Sequence, residues 1–228
     1  MALLIAAAVL SAGPGQLDAL NAALAIEQQG DDARALAALD RLVQAQPLGE
    51  LSRLEAARLR LKRGEQLDRA ELDADVARSL APENPRAHYV WALICDERGR
   101  PGEAERSLRT AIALRADFAD AQFRLGGLLL LKNDFEGAAA AYRAFLARSP
   151  EAGGARLQLA TALERSGDVR AAEAELRGLC SKAATRLVAT RRLADLLEKY
   201  GRSREAVVLR ASLNPRPRVL RALPSSAR

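Results

Sequence analysis

The chain has 228 residues, of which 49% are apolar, 28% charged and 4% aromatic, with a formal net charge of +6. That apolar share supports a packed core and excludes a disordered chain, and the few prolines and glycines look positioned rather than repetitive. With aromatics so scarce, Ala and Leu do the packing, which favours closely approaching helices over sheets and points to an all-α fold.

The N-terminus comes first. Ala2–Leu10 is an unbroken apolar run, followed by Ser11-Ala12-Gly13 and then Pro14-Gly15. That is the layout of the core and small-residue cleavage region of a secretory signal. No Lys or Arg precedes the run, so an N-terminal apolar cap on the fold is the alternative reading of residues 1–15. Export would place the protein in a bacterial periplasm; without it the chain is cytoplasmic. No other segment approaches the roughly 20 apolar residues that a membrane-spanning helix needs.

From residue 16 onward the chain keeps a ruler of 34 residues. Turn-forming residues recur at Gly30, Gly64, Gly99, Asn133, Gly167 and Gly201, with one residue inserted after Gly64. Shortly before each turn stands a small residue: Ala23, Ala57, Ala92, Gly126, Ala160 and Ala194. Shortly after each stands another: Ala35, Ala70, Ala104, Ala138, Ala172 and Ala206. A bulky column holds Trp91, Leu125, Leu159 and Leu193, and prolines recur at Pro47, Pro82 and Pro150. Gly and Asn tolerate positive φ and so end a first helix. The small columns let two helices approach, and proline ends the second. The expected units are therefore antiparallel helix pairs over residues 16–49, 50–84, 85–118, 119–152, 153–186 and 187–220.

This pattern resembles the tetratricopeptide repeat, whose Trp-x2-Leu-Gly-x2-Tyr, Ala-x3-Phe and Pro positions are visible here. In the fourth unit they read Leu125-Gly126-x2-Leu129, Ala138-x3-Tyr142 and Pro150. The resemblance implies a right-handed superhelical solenoid of antiparallel helix pairs, whose first helices line a concave groove for a peptide or protein. The fifth and sixth units lack the terminal proline, which softens their boundaries.

The inventory for catalysis is thin. One histidine rules out a two-His metal site. His88 and Cys95 are seven apart on one helix, about 10 Å along its axis, too far for a thiolate–imidazole pair. Cys95 and Cys180 show no metal-ligand spacing and are expected as buried small hydrophobes. The glycine pairs at 126–127 and 153–154 lack the Lys-Ser/Thr of a phosphate loop. The expectation is a protein that is not an enzyme and carries no cofactor or metal.

The resemblance also implies where a partner would sit. One place on each first helix reads Leu20, Leu54, Tyr89, Phe123, Leu157 and Arg191; one turn later stand Leu24, Arg58, Leu93, Gly127, Thr161 and Asp195. The expected groove residues are Leu54, Arg58, Tyr89, Leu93, Phe123, Arg124, Gly127, Leu157, Thr161 and Arg191. Apolar residues flanked by arginines suit a partner with apolar anchors and acidic flanks. The alternative for Tyr89, Phe123 and Leu157 is packing between units. A variant of the family grips a terminal carboxylate with Lys and Asn; here Leu20, Leu24, Leu51 and Leu54 stand in such places and do not match.

The last unit and tail carry the basic excess, eleven Lys/Arg against three Asp/Glu from Thr185 onward. Arg216, Arg218, Arg221 and Arg228 give a second functional reading, a basic scaffold docking on nucleic acid or anionic membrane. No aromatics are interleaved for base stacking, and a solvated basic tail over 221–228 is the plainer expectation. Arg far outnumbers Lys and Ala is abundant, so compositional bias also explains part of the charge.

Overall fold

The computed structural model describes residues 14–213. The secretory-signal or cap reading, the last residues of the sixth unit and the basic tail with Arg216, Arg218, Arg221 and Arg228 therefore lie at or beyond its ends. Among the described residues there are twelve α-helices and no strand. In chain order they are α1 (Pro14–Gln28), α2 (Asp32–Ala45), α3 (Glu50–Arg63), α4 (Leu67–Leu80), α5 (Pro85–Glu97) and α6 (Pro101–Leu114). Then come α7 (Ala119–Leu131), α8 (Phe135–Arg148), α9 (Gly153–Arg165), α10 (Val169–Cys180), α11 (Arg186–Lys199) and α12 (Ser203–Leu213).

The turn column works as its chemistry dictates. All six residues at Gly30, Gly64, Gly99, Asn133, Gly167 and Gly201 have positive φ, from 62° at Asn133 to 91° at Gly167. The second helices start on side-chain caps where the sequence supplies Asp. Asp31, Asp134 and Asp168 accept from the backbone N–H of Arg34, Gly137 and Ala171. Each satisfies a helix-start donor that would otherwise be orphaned. Pro47, Pro82 and Pro150 follow the ends of α2, α4 and α8, where no further helical N–H is needed.

The chain divides into two compact units, with described parts 14–132 and 133–213. In the first, α1 to α7 pack each on the next. Its core includes one cluster around Leu20, Leu39, Val43 and Leu59, and another around Leu54, Val90 and Ile94. In the second unit α8 to α12 likewise pack in succession, over buried Leu159, Leu176, Leu179, Leu193 and Leu197. The small columns, Ala35, Ala70 and Ala104 in the first unit and Ala138, Ala172 and Ala206 in the second, are all buried.

Two packing expectations need correction. Trp91 does not fill the core column as Leu125, Leu159 and Leu193 do. It is half-buried, with the guanidinium carbons of Arg78 and Arg100 at 5.0 and 5.5 Å from its ring. An indole is too large for the space a leucine fills, so its rim stays outside and arginines cover it. Cys180, expected to be buried, is only partly so; Cys95 is fully buried.

Candidate functional site

In the first unit the face of the first helices carries two different surfaces. On α5 and α7 it is aromatic and aliphatic. Tyr89 is half-buried, its ring centroid 5.0 Å from that of Phe118 at the start of α7. Burial raises the Tyr89 pKa above its ordinary 10.0, against the hydrogen bond from Arg124 and its charge. Phe123 is 37% exposed. Leu93 and Gly127 are half-buried and Arg124 is exposed.

On α1 and α3 the same face is ionic. Arg58 donates through Nη1 to Glu27 at 3.1 Å and through Nη2 to its second oxygen, and through Nε to Glu55 at 2.7 Å. Burial alone would lower the Arg58 pKa; the hydrogen bonds to Glu27 and Glu55 outweigh it and raise it. The Arg58 hydrogen bond holds the Glu27 carboxyl below its ordinary 4.5 despite partial burial. Lys62 sits 2.9 Å from Asp32 and 3.2 Å from Glu27, and Arg86 donates to Glu55 at 2.6 Å. Arg58 is thus committed to its own chain's carboxylates and is not a loose flank to the apolar strip.

Leu54 has to be removed from the expected groove. It is 0% exposed and belongs to the core cluster with Val90 and Ile94. Small residues around it, Ala70, Ala74, Ala77 and Ala87, let the neighbouring helices close over the leucine. Leu20 is buried for a similar reason, inside the first cluster.

In the second unit Leu157 and Thr161 are half-buried on α9, and Arg191 is exposed on α11. Thr161 Oγ1 donates to the Leu157 carbonyl at 3.0 Å and accepts from Arg192 Nη1 at 2.6 Å. Arg192, not the expected Arg191, is the residue that reaches α9, so the hydroxyl of Thr161 is held by its own chain.

One further column escaped the sequence reading. Arg53, His88, Gln122 and Arg156 stand at equivalent places on α3, α5, α7 and α9. Each places a side-chain nitrogen 2.7 Å from a carbonyl six residues earlier, those of Pro47, Pro82, Ala116 and Pro150. The acceptor lies in the turn between units, so these donors fasten each first helix to the turn before it. The signal was present as long polar side chains on the same ruler. It also gives His88 a structural role as an N–H donor. Cys95 is fully buried, and burial pushes its thiol up to about 11. Among the described residues no group of His, Cys, Asp and Glu is placed to hold a metal ion. No helix among them is long and apolar enough to cross a membrane.

Comparison with known proteins gives a consistent result. The family model "Tetratricopeptide repeat" matches residues 96–152 and 132–186. No curated protein matches the sequence significantly. The fold is similar to the crystal structure of PilW, a widely conserved type IV pilus biogenesis factor. That match has a TM-score of 0.71 and 20% identity, covering 89% of this chain and 94% of that one. A tetratricopeptide repeat protein from Parabacteroides merdae gives 0.67 at 18% identity, covering 90% and 82%. YrrB, described as a TPR protein with an unusual peptide-binding site, gives 0.62 at 17% identity, covering 75% and 88%.

Proposed function

We propose that this chain, whose residues 96–152 and 132–186 match the tetratricopeptide-repeat family model, is a non-catalytic adaptor or assembly factor built of such repeats. It holds a partner protein or peptide against the groove-lining faces of its first helices. The observation that carries this reading is Phe123. It stands 37% exposed on α7 with Gly127 one turn later, at the register place that Tyr89, followed by Leu93, holds on α5, in a chain where aromatics are scarce. An exposed aromatic on a rigid helix, beside half-buried apolar neighbours, is the anchor site that protein interfaces favour. Arg124 beside it suits an acidic flank. In the second unit Leu157, Thr161 and Arg191 offer a smaller surface of the same kind.

The similar proteins described as a pilus biogenesis factor and as a peptide-binding protein accord with this reading. Capture of a partner from a lysate by the full chain, set beside Phe123→Ala, tests it. Loss of the ring is expected to weaken the captured complex by about 1–3 kcal/mol, with the melting temperature nearly unchanged. A stability loss of about 3–5 kcal/mol would instead mark Phe123 as core and end the reading.

A further inference from the structure

Between α1, α3 and α5 lies a hollow of about 430 Å³, lined in part by Leu24, Glu27, Glu55, Arg58, Lys62 and Arg86. Its charges are layered. The carboxylates lie deep, with Glu27 and Glu55 side chains 13% and 6% exposed. The cations lie outside them, with Arg58, Lys62 and Arg86 at 30%, 49% and 50%. Each carboxylate joins two cations, Glu27 linking Arg58 with Lys62, and Glu55 linking Arg58 with Arg86. Asp32, 21% exposed, is the second partner of Lys62.

By formal charge Asp32, Glu27 and Glu55 balance the three cations. By exposure they do not, because the acids orient the cations from below and the entering molecule meets N–H groups. A guanidinium has five N–H donors, and the contact of Arg86 with Glu55 uses one terminal nitrogen. Cations already fixed by a layer beneath lose little freedom on meeting an anion, which is the condition for a useful charged contact. Leu24 adds an apolar wall.

We propose that this hollow receives the acidic flank of the partner. It takes side-chain carboxylates of an extended protein segment, with an aliphatic neighbour against Leu24 and the acids on Lys62 and Arg86. The inference rests on the reading of the chain as a protein-binding adaptor, and it gives the partner an acidic contact on α1, α3 and α5 beyond the one that Arg124 suits.

The test uses the full chain and a fluorescent peptide of sequence Glu-Leu-Glu-Glu-Leu-Glu, with a control in which every Glu is Gln. The acidic peptide is expected to bind and the Gln control to fail, with binding weakening between about 50 and 300 mM salt. The double variant Lys62→Gln/Arg86→Gln removes both charges, retains part of each aliphatic stem and leaves Arg58 in place. It should raise the Kd about tenfold or more while the far-UV spectrum and melting curve stay close to wild type. Should that pair misfold, Lys62→Gln alone, on an exposed ammonium, should still raise the Kd several-fold.

Equal binding of the Gln control, no binding of the acidic peptide, or an unchanged Kd in the folded variants would overturn the proposal. Binding of inorganic phosphate without the acidic peptide would overturn it too. Failure here is distinct from failure of the adaptor reading. Partner capture that depends on Phe123 but not on Lys62 and Arg86 removes the hollow alone. Peptide binding that depends on Lys62 and Arg86, with partner capture indifferent to Phe123, removes the apolar strip alone.

Discussion

Arg60 has no exposed surface, and its guanidinium is met by Asp73 at 2.6 Å, by Asp40, and by Gln66 at 3.3 Å. The inserted residue after Gly64 now has a physical consequence. It lets Gln66 take a φ of 50°, the left-handed region, and bring its side chain onto the buried charge. Asp73 also accepts from Arg53 at 2.5 Å, so removing it leaves the buried Arg60 with Asp40 as its one carboxylate and takes a partner from Arg53 as well. Asp73→Ala should therefore cost about 3 kcal/mol of stability, read as a lower urea midpoint, with the double variant Arg60→Met/Asp73→Leu recovering much of it. A single variant as stable as wild type would show that the pair is not a working constraint. Little of this was legible beforehand. The insertion was visible in the spacing, but an arginine on an amphipathic helix reads as solvated until the acids around it are located.

At the scale of helices and turns, legibility was high, because each column has one steric job that does not depend on distant neighbours. A left-handed residue stands wherever a first helix turns into the second helix of its pair, and all six positions show it. Gly167→Ala should cost about 1 kcal/mol, measured by thermal melting; no loss would mean that the turn can relax. The small columns allow a sharper test. Ala104 and Ala172 are buried on α6 and α10, so Ala104→Leu or Ala172→Leu must push a packed helix aside. A destabilisation of about 1–3 kcal/mol is expected for each, and neutral variants would show slack between the helices. The face of the first helices was less legible. Register gives the direction in which a side chain leaves its helix, but not the size of what stands opposite. Leu54 and Phe123 share one register place, yet Leu54 is buried among alanines while Phe123 remains exposed. In the same way the ruler located Thr161 but not Arg192, whose reach depends on how α11 lies on α9.

For the molecule as a whole, the arginine excess is not simply a basic surface, since many of these side chains hold carboxylates of their own chain. Hydrogen bonds from Arg58 to Glu27, from Lys132 to Glu105 and from Arg202 to Glu173 hold those acids below 4.5. A carboxyl with a lowered folded-state pKa stabilises the fold above its unfolded value, and that contribution is lost as pH falls through the folded value. The melting temperature should therefore drop as pH is taken below about 4.5. Glu50 has the opposite sign. Burial raises its pKa above 4.5, against the hydrogen bond from Asn84, and nearby Glu83 pushes the same way as burial. The folded state binds this proton more tightly than the unfolded chain does. Stability is thus lost as pH rises from 4.5 through the folded value, and the ionised group strains the fold at neutral pH. Glu50→Gln keeps the oxygen that Asn84 Nδ2 bonds and removes the charge. It should raise the melting temperature at pH 7 and leave it near wild type well below pH 4. Glu27→Gln should do the reverse, lowering it at pH 7 and converging on wild type in acid. Two glutamine variants with opposite signs at neutral pH, both fading in acid, would separate burial from pairing in one set of melts. A destabilised Glu50→Gln at pH 7 would show that its carboxylate is held by attraction rather than strained by burial.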